Sequence, residues 1–361
     1  MDLYQMKKIN IGFLAFVGMI ALNSCATKTA TPSETPATSV ETPKEITKET
    51  PEKGLDLSTF DKSVRPQDDF YNFVNGTWMK TAKIPADKST WGSFNKLAED
   101  TDNNSMTILN SLLNDKFAAG SEGKKIQDLY ATYMDMNKRN ADGISPIKAD
   151  LAKIDGIKSL SDLQNYLVEA TKNGENSFYA WGVFSDLKDS NMNAIYLGEA
   201  NLGLGRDYYQ KTNPKNTETI AEYTKYVASM LDVLGYKNAT STAQNIVNFE
   251  KSIAKNLLTI EQSRDATLQY NPKTMPELSK LVKNVDLAKY LTAVGVNTDR
   301  AIIGELKYYQ NLDQIINAKN IPLIKDYMKF HLLSGSASYL SKDLDEKKFA
   351  FYGKYLRGQD V

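Results

Sequence analysis

Apolar residues recur along most of this chain at spacings of three and four, the period of an amphipathic helix. In 64–78, Phe70, Phe73 and Val74 make an i, i+3, i+4 stripe. Pro66 suits a first helical turn, Asp68 and Asp69 suit its positive end, and Gly76 suits the C-cap. The same period predicts helices at roughly 95–115, 122–139, 160–172, 216–235, 241–262, 284–295, 298–318, 321–334 and 341–356. In 241–262, Ile246, Val247, Phe249, Ile253, Leu257 and Leu258 share a face. In 298–318, Ile302, Ile303, Leu306, Tyr309, Leu312 and Ile315 do so. One stretch breaks the period. Ser177–Asp186 and Met192–Gly198 are rich in aromatic and β-branched residues, and a polar turn, 187–191, separates them. The expected fold class is mainly α, a multi-helix body with one β-hairpin at about 177–198. A glycine- and asparagine-rich loop, Gly198 to Arg206, follows the hairpin, and no repeat of solenoid period appears.

The first 54 residues follow different rules. Lys7 and Lys8 precede an apolar run of fourteen residues, Ile9 to Leu22. That run is short of the roughly 20 residues a membrane span needs and suits an export signal, expected over 1–24. It ends in Leu22-Asn23-Ser24-Cys25, which resembles a bacterial lipoprotein cleavage box with Cys25 as the lipidated mature N-terminus. Residues 25–54 read as a tether: from 26 on, eight threonines and four prolines leave almost nothing to bury. The expected location is the bacterial envelope, anchored through lipidated Cys25 and facing the periplasm or the surface. The body, 55–361, is long enough for two lobes.

Composition removes several function classes. Lys+Arg and Asp+Glu balance at 44 each, and no basic run offers a nucleic-acid surface. With one cysteine, no disulfide can form within the chain. His331 is the single histidine, on an amphipathic helical segment, where a packed or surface role is the ordinary one. Asp186, Asp189, Asn191 and Asn193 lack the glycine and spacing of a calcium loop and read as turn chemistry. Gly203-Leu204-Gly205 lacks the further residues of a phosphate loop. Glu261, Arg264 and Asp265 read as a helix-end ion pair. Twenty tyrosines, with Tyr208-Tyr209 and Tyr308-Tyr309 adjacent, admit a glycan-binding face but more often mark half-buried packing.

Arg65-Pro66-Gln67-Asp68-Asp69-Phe70-Tyr71, then Val74-Asn75-Gly76 and Trp78, resembles the opening signature of the neprilysin and endothelin-converting-enzyme family of zinc metallopeptidases. Ile84-Pro85-Ala86-Asp87 and Trp91-Gly92-Ser93-Phe94 continue it in order. So do Gly203-Leu204-Gly205-Arg206-Asp207-Tyr208-Tyr209, Glu261 with Arg264-Asp265, Tyr270-Asn271, Glu277-Leu278, Tyr352-Gly353-Lys354 and Leu356-Arg357-Gly358. The resemblance covers about 55–361 and implies the helical N-terminal part of a two-lobed enzyme that encloses peptides. It implies zinc for the complete enzyme, held by an H-E-x-x-H helix in a C-terminal catalytic domain. A chain with one histidine cannot build that motif, so no catalytic or metal residue is expected within it. Thr90 and Asn95 stand where mammalian members carry an Arg and an Asp near a substrate subsite, with Trp91 between them as a wall; these three are the expected substrate-binding residues. Three readings follow: half of a peptide-cleaving metalloendopeptidase, inactive alone; a truncated non-catalytic peptide-binding lipoprotein; or a glycan-binding helical lipoprotein.

Overall fold

The computed structural model describes residues 54–175 and 178–360. The expected signal, Cys25 and nearly all of the tether lie outside them. The polypeptide forms two compact units that divide between Ile84 and Pro85.

The first unit, from Gly54, is a loop folded onto one helix, Phe70–Thr81. Asp69 rather than Pro66 sets the helix start, because its carboxylate accepts the Asn72 N–H at 2.9 Å. Pro66 therefore sits in the preceding turn. Gly76 does not cap this helix; it is buried in mid-helix, and a Cβ there would lie 2.7 Å from the Asp61 Cβ. Its role is close approach. The Asp61 N–H donates to the Phe73 carbonyl at 2.8 Å, and Thr77 Oγ1 donates to the Phe60 carbonyl at 2.8 Å. Lys80 at 2.6 Å and the Ser63 hydroxyl hold the Asp61 carboxyl down at about 2.

The second unit is mainly helical, as the periodicity predicts. Its long helices are Ser93–Asn114, Glu122–Met134, Leu160–Lys172, Pro214–Val233, Ala239–Ala254 and Ile321–Ser336. The predicted 122–139 helix breaks at Asp135, whose side chain caps a new helix, Met136–Asp142. The predicted 241–262 helix ends at Ala254. The last one, Lys342–Lys348, widens into a π-helical stretch, Phe349–Tyr355. The core lies among 214–233, 239–254 and 321–336, where aromatic rings interlock. Phe249 meets Tyr327 edge-on at 5.5 Å, and Tyr226 stacks on Phe351 at 5.2 Å.

The hairpin is observed, with strands β1 (Trp181–Ser185) and β2 (Asn193–Leu197), but it is half of a larger sheet. β3 (Asn271–Thr274) and β4 (Arg300–Ile303) complete it in the order β1-β2-β4-β3, with β2 and β4 parallel. The predicted helix at 298–318 is therefore corrected: it is β4 followed by two short helices, Leu306–Gln310 and Leu312–Ile315. Ala301, Ile302 and Ile303 are all fully buried, and a short apolar run buried on both faces has no period to separate strand from helix. Asp186 fixes the hairpin to the rest of the sheet. It is buried and accepts from Arg300 Nη2 at 2.6 Å, the Tyr270 hydroxyl at 2.8 Å and the Lys188 N–H at 2.8 Å.

Candidate functional site

The Gly198–Arg206 loop leaves β2 and runs against the core helices, meeting Tyr223, Glu250 and Tyr327. Of its three glycines, Gly203 lets the backbone pass close to a bulky side chain. At Gly203 a Cβ would lie 1.6 Å from the Tyr223 hydroxyl oxygen, so any larger residue would force the buried Tyr223 ring to move.

Glu250 anchors this loop. It sits on the apolar stripe of the Ala239–Ala254 helix and is completely buried. A buried carboxylate is tolerated only when its lone pairs are filled. One oxygen accepts from His331 Nε2 at 2.7 Å, the Tyr223 hydroxyl at 3.1 Å and the Gly203 N–H at 3.2 Å. The other accepts from the Tyr209 hydroxyl at 2.7 Å, which itself accepts from the Leu204 N–H at 3.2 Å. The Asn201 amide nitrogen lies 3.4 Å from His331 Nδ1. An amide nitrogen only donates, so Nδ1 accepts and Nε2 carries the proton toward Glu250. Tyr327 and Tyr352 donate to the Asn201 and Gly203 carbonyls. Burial next to the Glu250 carboxylate pushes the hydroxyls of Tyr209 and Tyr223 far above their ordinary range, so both stay protonated donors.

The far end of the loop is held by a second carboxylate. Arg206 donates to Glu305 at 2.7 Å, to the Leu258 carbonyl at 2.8 Å and to Glu199. The other Glu305 oxygen accepts the Leu258 N–H at 2.7 Å. Burial raises the Glu305 carboxyl, while these donors oppose that rise. Two open cavities flank the pinned loop. One, of about 720 Å³, is walled by the loop itself with Tyr352, Leu356 and Arg357. The other, of about 500 Å³, lies on the sheet against Gly182, Phe184, Tyr196 and Arg206.

The sequence-predicted residues fall elsewhere. Thr90 is exposed, Trp91 and Asn95 are half-buried at the start of the Ser93–Asn114 helix, and none of the three lines either cavity. His331 is packed, as expected, but against a carboxylate. Glu261 pairs with Lys211 at 2.8 Å and Asp265 caps Thr267, so the expected Glu261–Arg264–Asp265 cluster is corrected to two separate contacts. Asp189 accepts its own turn's Asn191 N–H at 3.2 Å, in keeping with turn chemistry. Tyr209, Tyr308 and Tyr309 are buried and Tyr208 is half-buried, in keeping with packing roles. Glu250 and Glu305 were missed by sequence reasoning. Glu250 had a signal: an acidic residue three before Ile253 and three after Val247, within the apolar stripe. Glu305 had none.

The described residues do not fit zinc. Among the described residues no three His, Cys, Asp or Glu side chains converge to hold a metal ion. The nearest arrangement, His331 with Glu250, spends its donors and acceptors on tyrosines and loop amides. Among the described residues no helix is long and apolar enough to cross a membrane.

A helical body with a small sheet and a pinned glycine loop beside open cavities matches a known class. Residues 66–361 match the model of peptidase family M13, in its N-terminal region, and the chain belongs to that family. It is similar to endothelin-converting enzyme 1 of Rattus norvegicus, 28% identical over 310 residues that cover 81% of this chain and 40% of that one. Neutral endopeptidase of Lactococcus lactis subsp. cremoris is 27% identical over 81% of this chain and 47% of its own length. Among solved structures, Mycobacterium tuberculosis zinc metalloprotease ZMP1 in complex with an inhibitor superposes with a TM-score of 0.77 at 26% identity, over 85% of this chain and 48% of that one. PepO from Lactobacillus rhamnosis shares the fold, with a TM-score of 0.68 at 20% identity. The chain spans somewhat under half the length of these relatives.

Proposed function

We propose that this chain is the helical N-terminal part of a neprilysin-like zinc metalloendopeptidase of the bacterial envelope, tethered through lipidated Cys25. Its task is to shape the space that receives a peptide, and the catalytic zinc belongs to polypeptide outside these residues. The observation that carries this reading is the M13 match over 66–361, combined with coverage of 48% of the ZMP1 chain. The two cavities on either side of the 198–206 loop are consistent with it, since peptide sites are concave with a few fixed polar groups. Thr90, Trp91 and Asn95 remain proposed substrate contacts in the complete enzyme.

The test is peptide hydrolysis with and without a chelator, on this chain and on the protein purified from its native membrane. This chain is expected to cleave nothing, and the native protein to show chelator-sensitive cleavage. Chelator-sensitive cleavage by this chain alone would overturn the assignment of the metal. A native protein without peptidase activity that still binds peptides would favour a non-catalytic peptide-binding lipoprotein. Cys25→Ser is expected to move the protein from the membrane fraction to the soluble one.

A further inference from the structure

The two edges of the four-stranded sheet are built differently. β3 carries Pro272 and Lys273, residues that blunt an edge against pairing. β1, the opposite edge, reads Trp-Gly-Val-Phe-Ser, with no proline, no charge and an unbroken register of five pairs to β2. The Asp186 N–H bonds the Met192 carbonyl at 2.8 Å and the Gly198 N–H bonds the Ala180 carbonyl at 2.8 Å. Even-numbered residues therefore turn their peptide groups toward β2, and Trp181 and Val183 turn theirs to the open side. The side chains around this edge are apolar and exposed: Val183 by 56%, Phe184 by 63%, Leu187 by 58% and Met192 by 56%. The cavity of about 500 Å³ opens beside it, walled by Gly182, Phe184 and Tyr196 and closed by Glu199, Arg206 and Gln269. Gly182 keeps that wall low, since a Cβ there would lie 2.7 Å from the Phe184 ring.

We infer that β1 is a peptide-pairing edge: an extended, proline-free peptide adds to it as a fifth strand and lays alternate side chains into the adjoining cavity. The inference rests on the peptide-handling reading above and names where one such peptide would lie. Main-chain hydrogen bonds to Trp181 and Val183 supply affinity, and the cavity supplies preference for apolar or aromatic side chains. A second copy of the chain is the weaker occupant. A five-residue strand is about 17 Å long. Pairing two of them covers a few hundred Å², well below the roughly 1,200 Å² at which stable interfaces begin. A short peptide needs no larger footprint.

The test uses amide hydrogen exchange and binding of a lysine-capped peptide of alternating threonine and valine, about nine residues long. Added peptide is expected to protect the Trp181 and Val183 amides, and N-methylation of alternate peptide amides to abolish that protection. Val183→Pro removes an outward N–H that β2 does not use, so the fold is expected to persist, judged by unchanged exchange at Ala301–Ile303. Peptide affinity should fall about tenfold or more. Equal binding by wild type and Val183→Pro would overturn the edge while leaving the peptide reading intact. No peptide binding by either would also overturn the edge, while the peptide reading stands or falls on hydrolysis by the native protein. Wild-type dimers that Val183→Pro dissolves would assign the edge to a second copy. Protection of these amides without peptide in the protein from its native membrane would assign it to the rest of the polypeptide.

Discussion

At the residue scale the molecule depends on three buried acids, Glu250, Glu305 and Asp186, each with both carboxylate oxygens hydrogen-bonded. Tyr209 shows the logic, since its hydroxyl both donates to Glu250 and accepts from Leu204. Tyr209→Phe leaves a buried carboxylate oxygen and a backbone N–H short of a partner, and should destabilise the second unit by about 1–3 kcal/mol. Urea unfolding checks this; a loss of a few tenths would mean that water replaces the hydroxyl. Asp186 gives a pH dependence with a definite sign. The Lys188 N–H and Arg300 hold its carboxyl down at about 2, below its unfolded value of 3.8. A depressed carboxyl stabilises the fold above its unfolded pKa and loses that contribution as pH falls. The Asp186 contribution should therefore be complete above about pH 5 and fade between about pH 4 and pH 2. Acid titration of Asp186→Asn beside wild type checks it, and the variant's unfolding curve should be flatter in that window.

At the element scale, close approach decides where secondary structure begins, ends and packs. Gly76 illustrates a conflict between local and tertiary preference. Alanine gains about 1 kcal/mol of helix propensity over glycine in a helix interior. Here its methyl would meet the Asp61 Cβ at 2.7 Å, and that atom cannot swing aside as a side-chain tip could. Gly76→Ala should therefore weaken the first unit despite the better propensity, by about 1–3 kcal/mol of overpacking. The Asp61 amide, bonded to the Phe73 carbonyl, is the reporter, and its hydrogen exchange should speed up. Unchanged or slower exchange would mean the 60–63 turn shifts freely. The sheet makes the same point. β4 forms because β2 offers it a parallel edge, and the Gly304 N–H continues that pairing to the Leu197 carbonyl at 2.9 Å.

At the scale of the whole molecule, the Ser93–Asn114 and Glu122–Met134 helices carry apolar stripes but bury no residue. Phe94 is 88% exposed, and Leu97, Ile108, Leu129 and Met134 are exposed with it. Monomers rarely leave so much apolar surface open to water. The chain by itself should self-associate, seen as a sedimentation coefficient that rises with concentration. Phe94→Glu with Leu97→Glu should lower that tendency. A strictly monomeric wild type with a single sharp melt would instead mark these helices as stable in water and favour an autonomous binding protein.

Much of this was legible in one dimension. The 3.6-residue period fixed the helices at 160–172, 214–233 and 321–336 within a few residues, because one face of each meets the core and the other meets water. The hairpin showed through its aromatic and β-branched residues on either side of a polar turn, and the ordered blocks from Arg65 to Gly358 pointed to the family. What stayed hidden depends on partners distant in sequence. β4 is buried on both faces and has no period of its own, and β3 is four residues long with a proline in it. Glu250 meets His331 across 81 residues and Gly203 across 47, and no local pattern encodes such a meeting. The sequence by itself determined the helical class, the kinship and the want of a second histidine. Only the tertiary structure decided which acids hold the 198–206 loop, which edge of the sheet stays open and where the cavities lie, because burial and hydrogen bonding are settled by what packs against each group in space.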